Sequence, residues 1–228
     1  MVENRASGEL DPKVYAQQRQ HMVQTQLYRR GIRDRAVLEA FRQVLRQYFV
    51  PVDVRTQAYA DYPLPIGAGQ TISQPYVVAY MIQALQLKTT DRVLEIGMGS
   101  GYQTALLAGL VDQVYTIEFF PNLAAAAKKV LADLGYSNIE QRISDGAAGW
   151  LEEAPFDAII GSAAAAKIPP ALIEQLALGG RLILPVGADH QCLVLVTRTL
   201  EGIQRTSLLP VRFVLMQTGS PVAGAPSD

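Results

Sequence analysis

Val93-Leu94-Glu95-Ile96-Gly97-Met98-Gly99-Ser100-Gly101-Tyr102 is the stretch on which the rest of the chain turns. A short apolar run carrying one acid gives way to glycines at 97, 99 and 101, and a helix-competent segment, Gln103 to Leu110, follows. That order reads as strand, tight turn, helix. Glycines at such a turn accept positive φ and let the backbone approach a ligand closely. A dinucleotide fingerprint, Gly-x-Gly-x-x-Gly, starting at Gly97 would need glycine at 102, where Tyr102 stands. The spacing present is Glu-x-Gly-x-Gly-x-Gly. By itself it fits a ligand-binding loop or a bare β–α turn.

Working outward, strand and helix signals alternate. Pro75 suits the first helical position, with Gln74 before it, and Val77, Val78, Met81, Ile82 and Leu85 supply an apolar face. Beyond the glycines come strand 113–118, a helix over 123–134 closed at Gly135, strand 138–143 ending at Asp145-Gly146, and strand 156–161. A helix over 171–176 follows, then a turn at Gly179-Gly180 and strands 181–185, 192–199 and 212–217. Such alternation implies a doubly wound, mainly parallel α/β sheet with an antiparallel addition at its end.

Upstream, residues 13–30 form a helical pattern closed by Gly31, and Asp34 caps a second one carrying Val37, Leu38, Phe41, Val44 and Leu45. These helices read as an appended layer over the ligand side. Between them and Pro75, the residues Pro63, Pro65, Gly67 and Gly69 argue against regular structure, while Tyr59, Tyr62, Leu64, Ile66 and Ile72 argue against disorder. The stretch reads as a packed active-site loop. The expected organisation is a disordered 1–12 and one domain over 13–217, divided into a helical extension (13–58), the loop (59–75) and the α/β core with C-terminal strands (76–217). A flexible Gly/Pro/Ala/Ser tail over 218–228 completes it.

Composition excludes several function classes. In 228 residues, 49% are hydrophobic and the net charge is −1, so the chain is globular and has no basic excess for nucleic acid. The cluster Arg29, Arg30, Arg33 and Arg35 reads as a solvated helix face. A lone cysteine, Cys192, cannot form an intrachain disulfide and fits a reducing compartment. No apolar run is long enough for a membrane span, and the polar N-terminus lacks a signal-peptide core. Two isolated histidines, His21 and His190, with one cysteine give no zinc site, and neither a phosphate-binding Gly-x-x-x-x-Gly-Lys-Ser/Thr loop nor a Gly-x-Ser-x-Gly elbow occurs.

Three acids fall at successive strand ends: Glu95, Glu118 and Asp145. In an open α/β sheet, ligands bind at those ends. Glu118 can accept from ribose hydroxyls, Asp145 from an adenine amino group, and Glu95 can orient an ammonium. Carboxylates in this number suit a cationic cofactor, and S-adenosylmethionine, with its sulfonium and ammonium, matches. The glycine loop resembles motif I of methyltransferases that use it.

Residues 58–75, Ala-Tyr-Ala-Asp-Tyr-Pro-Leu-Pro-Ile-Gly-Ala-Gly-Gln-Thr-Ile-Ser-Gln-Pro, together with Val-Leu-Glu-Ile-Gly-x-Gly-Ser-Gly-Tyr-Gln at 93–103, resemble the protein-L-isoaspartate (D-aspartate) O-methyltransferase family. Val-Tyr-Thr-Ile-Glu (114–118), Pro-Phe-Asp-Ala-Ile (155–159), Pro-Val-Gly (185–187) and Val-Arg-Phe-Val (211–214) extend the likeness, which covers roughly Met22 to Val214. The resemblance implies methylation, by S-adenosylmethionine, of the free carboxylate of L-isoaspartyl and D-aspartyl residues in damaged proteins. The ester then cyclises to a succinimide, which initiates repair. It further implies a cytoplasmic monomer that yields S-adenosylhomocysteine, needs no metal, and has isoaspartyl proteins and peptides, not nucleic acid or membrane, as partners.

Carried over by residue, Ser73 is the catalytic serine. Gln70, Thr71, Ile72, Ser73, Glu95, Gly97, Gly99, Gly101, Glu118, Asp145 and Gly146 bind the cofactor. Ile66, Ser73 and Val214 bind the substrate, with Val214 in the last strand. Four places depart from the family pattern: Met98 for threonine, Ser144 for glycine, Ser162 to Lys167, and Leu215 for proline. Read without the resemblance, the residues also allow a cofactor-binding sensor that transfers nothing, or the same fold acting on another carboxylate. An NAD-linked oxidoreductase is disfavoured by Tyr102.

Overall fold

The computed structural model describes residues 10–221. The expected disorder over 1–12 and the tail over 218–228 fall largely outside them. Asp11 accepts from the Lys13 N–H at the start of α1 (Pro12–Met22), which runs through a π turn (Val23–Leu27) and a 3₁₀ turn (Tyr28–Arg30) to Gly31 at φ 99°. Asp34 caps α2 (Arg35–Gln43) by accepting from Ala36 and Val37. The helix stops there, and Val44 is extended, so the helix ends before the last two apolar positions, Val44 and Leu45.

The stretch read as an irregular loop holds an antiparallel hairpin, β1 (Leu64–Gly67) with β2 (Gln70–Ile72). Proline does not forbid it, because both strands are sheet edges and Pro65 sits beside the bulge. Ala68 (φ 52°) and Gly69 (φ 66°) form the two-residue turn, and two positive-φ centres suit the right-handed twist of a hairpin.

After α3 (Pro75–Leu85) come β3 (Arg92–Ile96), α4 (Tyr102–Ala108), β4 (Gln113–Glu118), α5 (Pro121–Asp133), β5 (Ile139–Ile143) and β6 (Phe156–Gly161). The chain continues through α6 (Pro170–Glu174), β7 (Leu176–Val186), β8 (Gln191–Thr199) and β9 (Gly202–Val211). The main sheet has the order β5-β4-β3-β6-β7-β8-β9, with β3 to β7 parallel and β8 and β9 antiparallel to their neighbours. Gly179-Gly180 is not a turn before the seventh strand but a bulge within it, where the register against β6 shifts. The last strand also differs. It is Gly202–Val211, and 212–217 is irregular.

Alternation within the strands divides the core in two. Val93, Val114, Ala158, Ile160 and Ile183 join α1 to α5 on one face, while Leu94, Ile96, Ile117, Ile159 and Leu182 meet α6 residue Leu172 on the other. The helical extension therefore shares a continuous core with α3 and α4. Strand order reverses at β3, so its carboxyl end is the switch point where a ligand crevice opens.

Ala68 is a half-buried L-residue in left-handed geometry, between Gly67 and Gly69 at the tip of the hairpin. Ala68→Asn should stabilise the protein by about 0.5–1 kcal/mol in denaturant unfolding, since asparagine tolerates that conformation better.

Candidate active site

The loop after β3 is held from the backbone outward. Gly97 and Met98 N–H groups donate to the Ile117 carbonyl, and Gly101 donates to Met98. Gly97, Gly99 and Gly101 have φ of 87°, 55° and 84°. A Cβ on Gly101 would lie 3.2 Å from Leu131 of α5, so that glycine also sets the close packing of helix against loop. Glu118, buried at the end of β4, accepts from Gly99 N (2.7 Å) and from Phe119 and Phe120 N (2.9 Å each). Burial raises its pKa, and these three N–H groups oppose the rise.

Between this loop and β2 lies a cavity of about 780 Å³, counted out to its open mouth. Gly97, Gly99 and Glu118 line it from the sheet, and Gln70, Thr71, Ile72 and Ser73 from the hairpin and the turn before α3. Gly146 and Val214 close other parts of the wall. Glu95, Gly101, Asp145 and Ile66 do not line it, although Ile66 lies against Gly99.

Glu95 is the main revision. It is not at the strand end but one residue inside, fully buried on the face beneath α4. Its Oε2 accepts from Thr104 Oγ1 (2.5 Å) and Thr116 Oγ1 (2.7 Å), and its Oε1 from Gln103 Nε2 (3.0 Å). It therefore cannot itself touch an ammonium in the cavity. Burial pushes its carboxyl up to about 7, against the three donors, and the Glu118 charge adds to the rise.

Ser73 sits at the entry to α3, whose N-terminus has Pro75 in its first turn and no side-chain cap. Arg46 fixes it from behind. This guanidinium is fully buried, donates from Nη2 to the Ser73 carbonyl (2.8 Å) and from Nε to the Ala58 carbonyl (2.7 Å), and lies 4.6 Å over the Tyr102 ring. Tyr102 in turn packs edge-on against Phe41 and Phe49, with ring centroids 6.0 and 5.7 Å apart. The helical extension thus reaches the site through one cation and one ring.

The segment after β9 crosses the cavity as a strap. Gln191 grips Phe213, accepting its N–H (2.6 Å) and donating to its carbonyl (3.0 Å). Ala164 N donates to Val214 O, and Met216 N to Ala164 O, both at 2.8 Å. Val214 therefore stands in a strap laid across the end of β6, not in a strand. Asp145 accepts from Ala147 N (2.8 Å) and, at its other oxygen, from Gly219 N (2.7 Å). Gly146 beside it admits no side chain, because a Cβ would fall 2.3 Å from Ile96 Cγ2.

Sequence reasoning missed Arg46 and Gln103. Nothing local marks Arg46 among twenty basic residues, whereas Gln103, immediately after the glycine loop, was within reach. Among the described residues no cluster of acids, histidines or cysteine has the makings of a metal site, and no helix is long and apolar enough to cross a membrane.

The profile of the family described as protein-L-isoaspartate(D-aspartate) O-methyltransferase (PCMT) matches residues 17–220. The chain belongs to this family. It is 56% identical over 199 residues to the protein-L-isoaspartate O-methyltransferase of Opitutus terrae, covering 86% of this chain and 85% of that one. Identity to the corresponding Synechococcus protein is 49% over 223 residues, or 94% and 91% of the two chains. A crystal structure described as a Plasmodium falciparum protein-L-isoaspartate O-methyltransferase in complex with S-adenosyl-L-homocysteine aligns with a TM-score of 0.78 at 28% identity, over 88% of this chain and 99% of that one. As a protein-L-isoaspartate O-methyltransferase, the chain transfers a methyl group from S-adenosylmethionine to isoaspartyl residues, and its sheet is the Rossmann-like one of such enzymes.

The elevated Glu95 carboxyl has a consequence for stability. Between its ordinary 4.5 and about 7, the native protein keeps a proton that the unfolded chain has released, so stability falls as pH rises through that window and levels above it. The decline should reach up to about 3 kcal/mol, and Glu95→Gln should remove it, as read by denaturant unfolding at pH 5 and pH 8. Arg46→Met leaves two carbonyls without their donor and should cost about 2–4 kcal/mol in the same assay.

Proposed function

We propose that the cavity seats S-adenosylmethionine along the β3–β4 end of the sheet and the isoaspartyl carboxylate at Ser73, and that residues 13–217 work as a single methyltransferase domain. The observation that carries this reading is that Ser73, just before the uncapped end of α3, and the glycine loop face each other across one cavity. One feature of the chain fits the cofactor: Gln103, a residue of the cavity wall, has a buried oxygen with no partner.

Bound S-adenosylmethionine supplies an electrophilic methyl group on a sulfonium centre. The remaining work belongs to the protein. Glu118 already holds three N–H groups, which leaves about one of its acceptor sites for a ribose hydroxyl. Gly146, on the cavity wall, presents bare backbone to a flat base, and Asp145, outside that wall with both oxygens accepting from Ala147 and Gly219, holds the turn that carries it.

A substrate carboxylate is ionised at neutral pH and is already a nucleophile, so no general base is required. Ser73 Oγ donates to it, the N–H groups of the first α3 turn add partial positive charge, and Arg46 keeps the Ser73 backbone in place. The strap, through Val214, offers backbone to the isoaspartyl segment and shields the reacting atoms from water. Catalysis on this account is placement and desolvation.

The same reading makes the enzyme a cytoplasmic monomer without a nucleic-acid partner. Support comes from the lone cysteine, the net charge of −1 and a cavity wall completed by one chain.

Labelled S-adenosylmethionine and two peptides differing only in an Asp or isoAsp linkage test the proposal. The isoaspartyl peptide alone should be labelled. Ser73→Ala should lower kcat/KM by about 10- to 100-fold, the worth of a hydrogen bond to a charged group, while affinity for S-adenosylhomocysteine stays near wild type. Equal labelling of both peptides, or unchanged turnover in the variant, defeats it.

A further inference from the structure

Gln103 is 6% exposed and lines the cavity between Gly99 and Ser162. Both hydrogens of its amide are engaged, since Nε2 donates to Glu95 Oε1 at 3.0 Å and to Ser162 Oγ at 2.8 Å. Its Oε1 is buried and has no hydrogen-bond partner. A buried amide oxygen left unpaired is costly, and on a residue that lines a cavity it calls for a donor from the ligand. Above about pH 7, where Glu95 is ionised, the amide cannot relieve the deficit by flipping, because its oxygen would then face a carboxylate that accepts only.

We infer that the Gln103 oxygen accepts a hydrogen bond from the α-ammonium of the cofactor's methionine portion, with Glu95 acting through Gln103 as a positioning residue. The inference rests on S-adenosylmethionine occupying this cavity. Glu95 fixes which end of the amide faces the ligand. By accepting from the –NH₂ group it also polarises the opposite oxygen, making it a better partner for a cation. Thr104 and Thr116 hold Glu95 in turn, so an anion that never reaches the cavity still sets the charge felt there. The ammonium-orienting role expected of Glu95 thereby passes to the residue in front of it.

Calorimetric binding of three ligands separates the possibilities: S-adenosylhomocysteine, its desamino analogue, and 5′-methylthioadenosine, which lacks the amino-acid portion altogether. Gln103→Leu should weaken S-adenosylhomocysteine by about 10- to 100-fold and leave the other two within about twofold. At pH 8, where Glu95 is ionised, Glu95→Gln keeps an acceptor for Gln103 but loses the charge. It should weaken S-adenosylhomocysteine by a smaller factor, about three- to tenfold, again sparing the other two. Melting curves confirm that each variant is folded.

Equal loss for all three ligands in Gln103→Leu would make Gln103 a mere support of the glycine loop and overturn the inference. So would unaltered S-adenosylhomocysteine binding. Failure of wild-type protein to bind any of the three would remove the cofactor from this cavity, and the inference with it.

Discussion

The bond from Gly99 N–H to Glu118, 2.7 Å long, is the constraint on which the site depends. A loop of positive-φ glycines has no side chains to anchor it, so its shape must be imposed through the backbone. Glu118 does this from β4, while the Ile117 carbonyl takes the N–H groups of Gly97 and Met98. Beneath the loop a second carboxylate, Glu95, ties β3 to β4 through Thr116 and to α4 through Gln103 and Thr104. Two carboxylates that burial makes reluctant to ionise therefore stiffen the glycine loop.

The opposite wall is organised by a charge of the other sign. Arg46 has been carried fully out of water and satisfies carbonyls on two different segments, at Ala58 and Ser73. A buried guanidinium is expensive unless its donors are used, and the bonds from Nε and Nη2 lock the helical extension to the turn before α3, with Nη1 left without a hydrogen-bond partner. The two halves meet at Tyr102, whose ring carries Arg46 on one side and whose chain position opens α4 on the other.

Much of the architecture could be read directly. Buried parallel strands advertise themselves as β-branched runs, and Pro75, Asp34 and Gly31 punctuate helices where the chain says they should. The failures have physical causes. Pro65 argued against a strand, but β1 is an edge, where a missing N–H costs little. The strand assigned to 212–217 is apolar because it lines a cavity, whereas the real β9 is exposed along most of its length and packs on the core only near its end, at Leu208, Leu209 and Val211. Glu95 looked like a ligand because sequence places it near the loop but does not say which side of the strand it takes. Arg46 was invisible, since its partners lie twelve and twenty-seven residues away along the chain.

The strap from Phe213 to Gly219 is one continuous piece of backbone with two duties. It forms the wall at Val214 and ends as a donor to Asp145. On the proposed placement of cofactor and peptide, a wall shared in this way makes their affinities linked quantities, and such linkage is reciprocal. Whatever one occupant does to the register of the strap, the other experiences. Specificity for damaged protein and retention of cofactor cannot then evolve as independent traits, because both are written in the same seven residues.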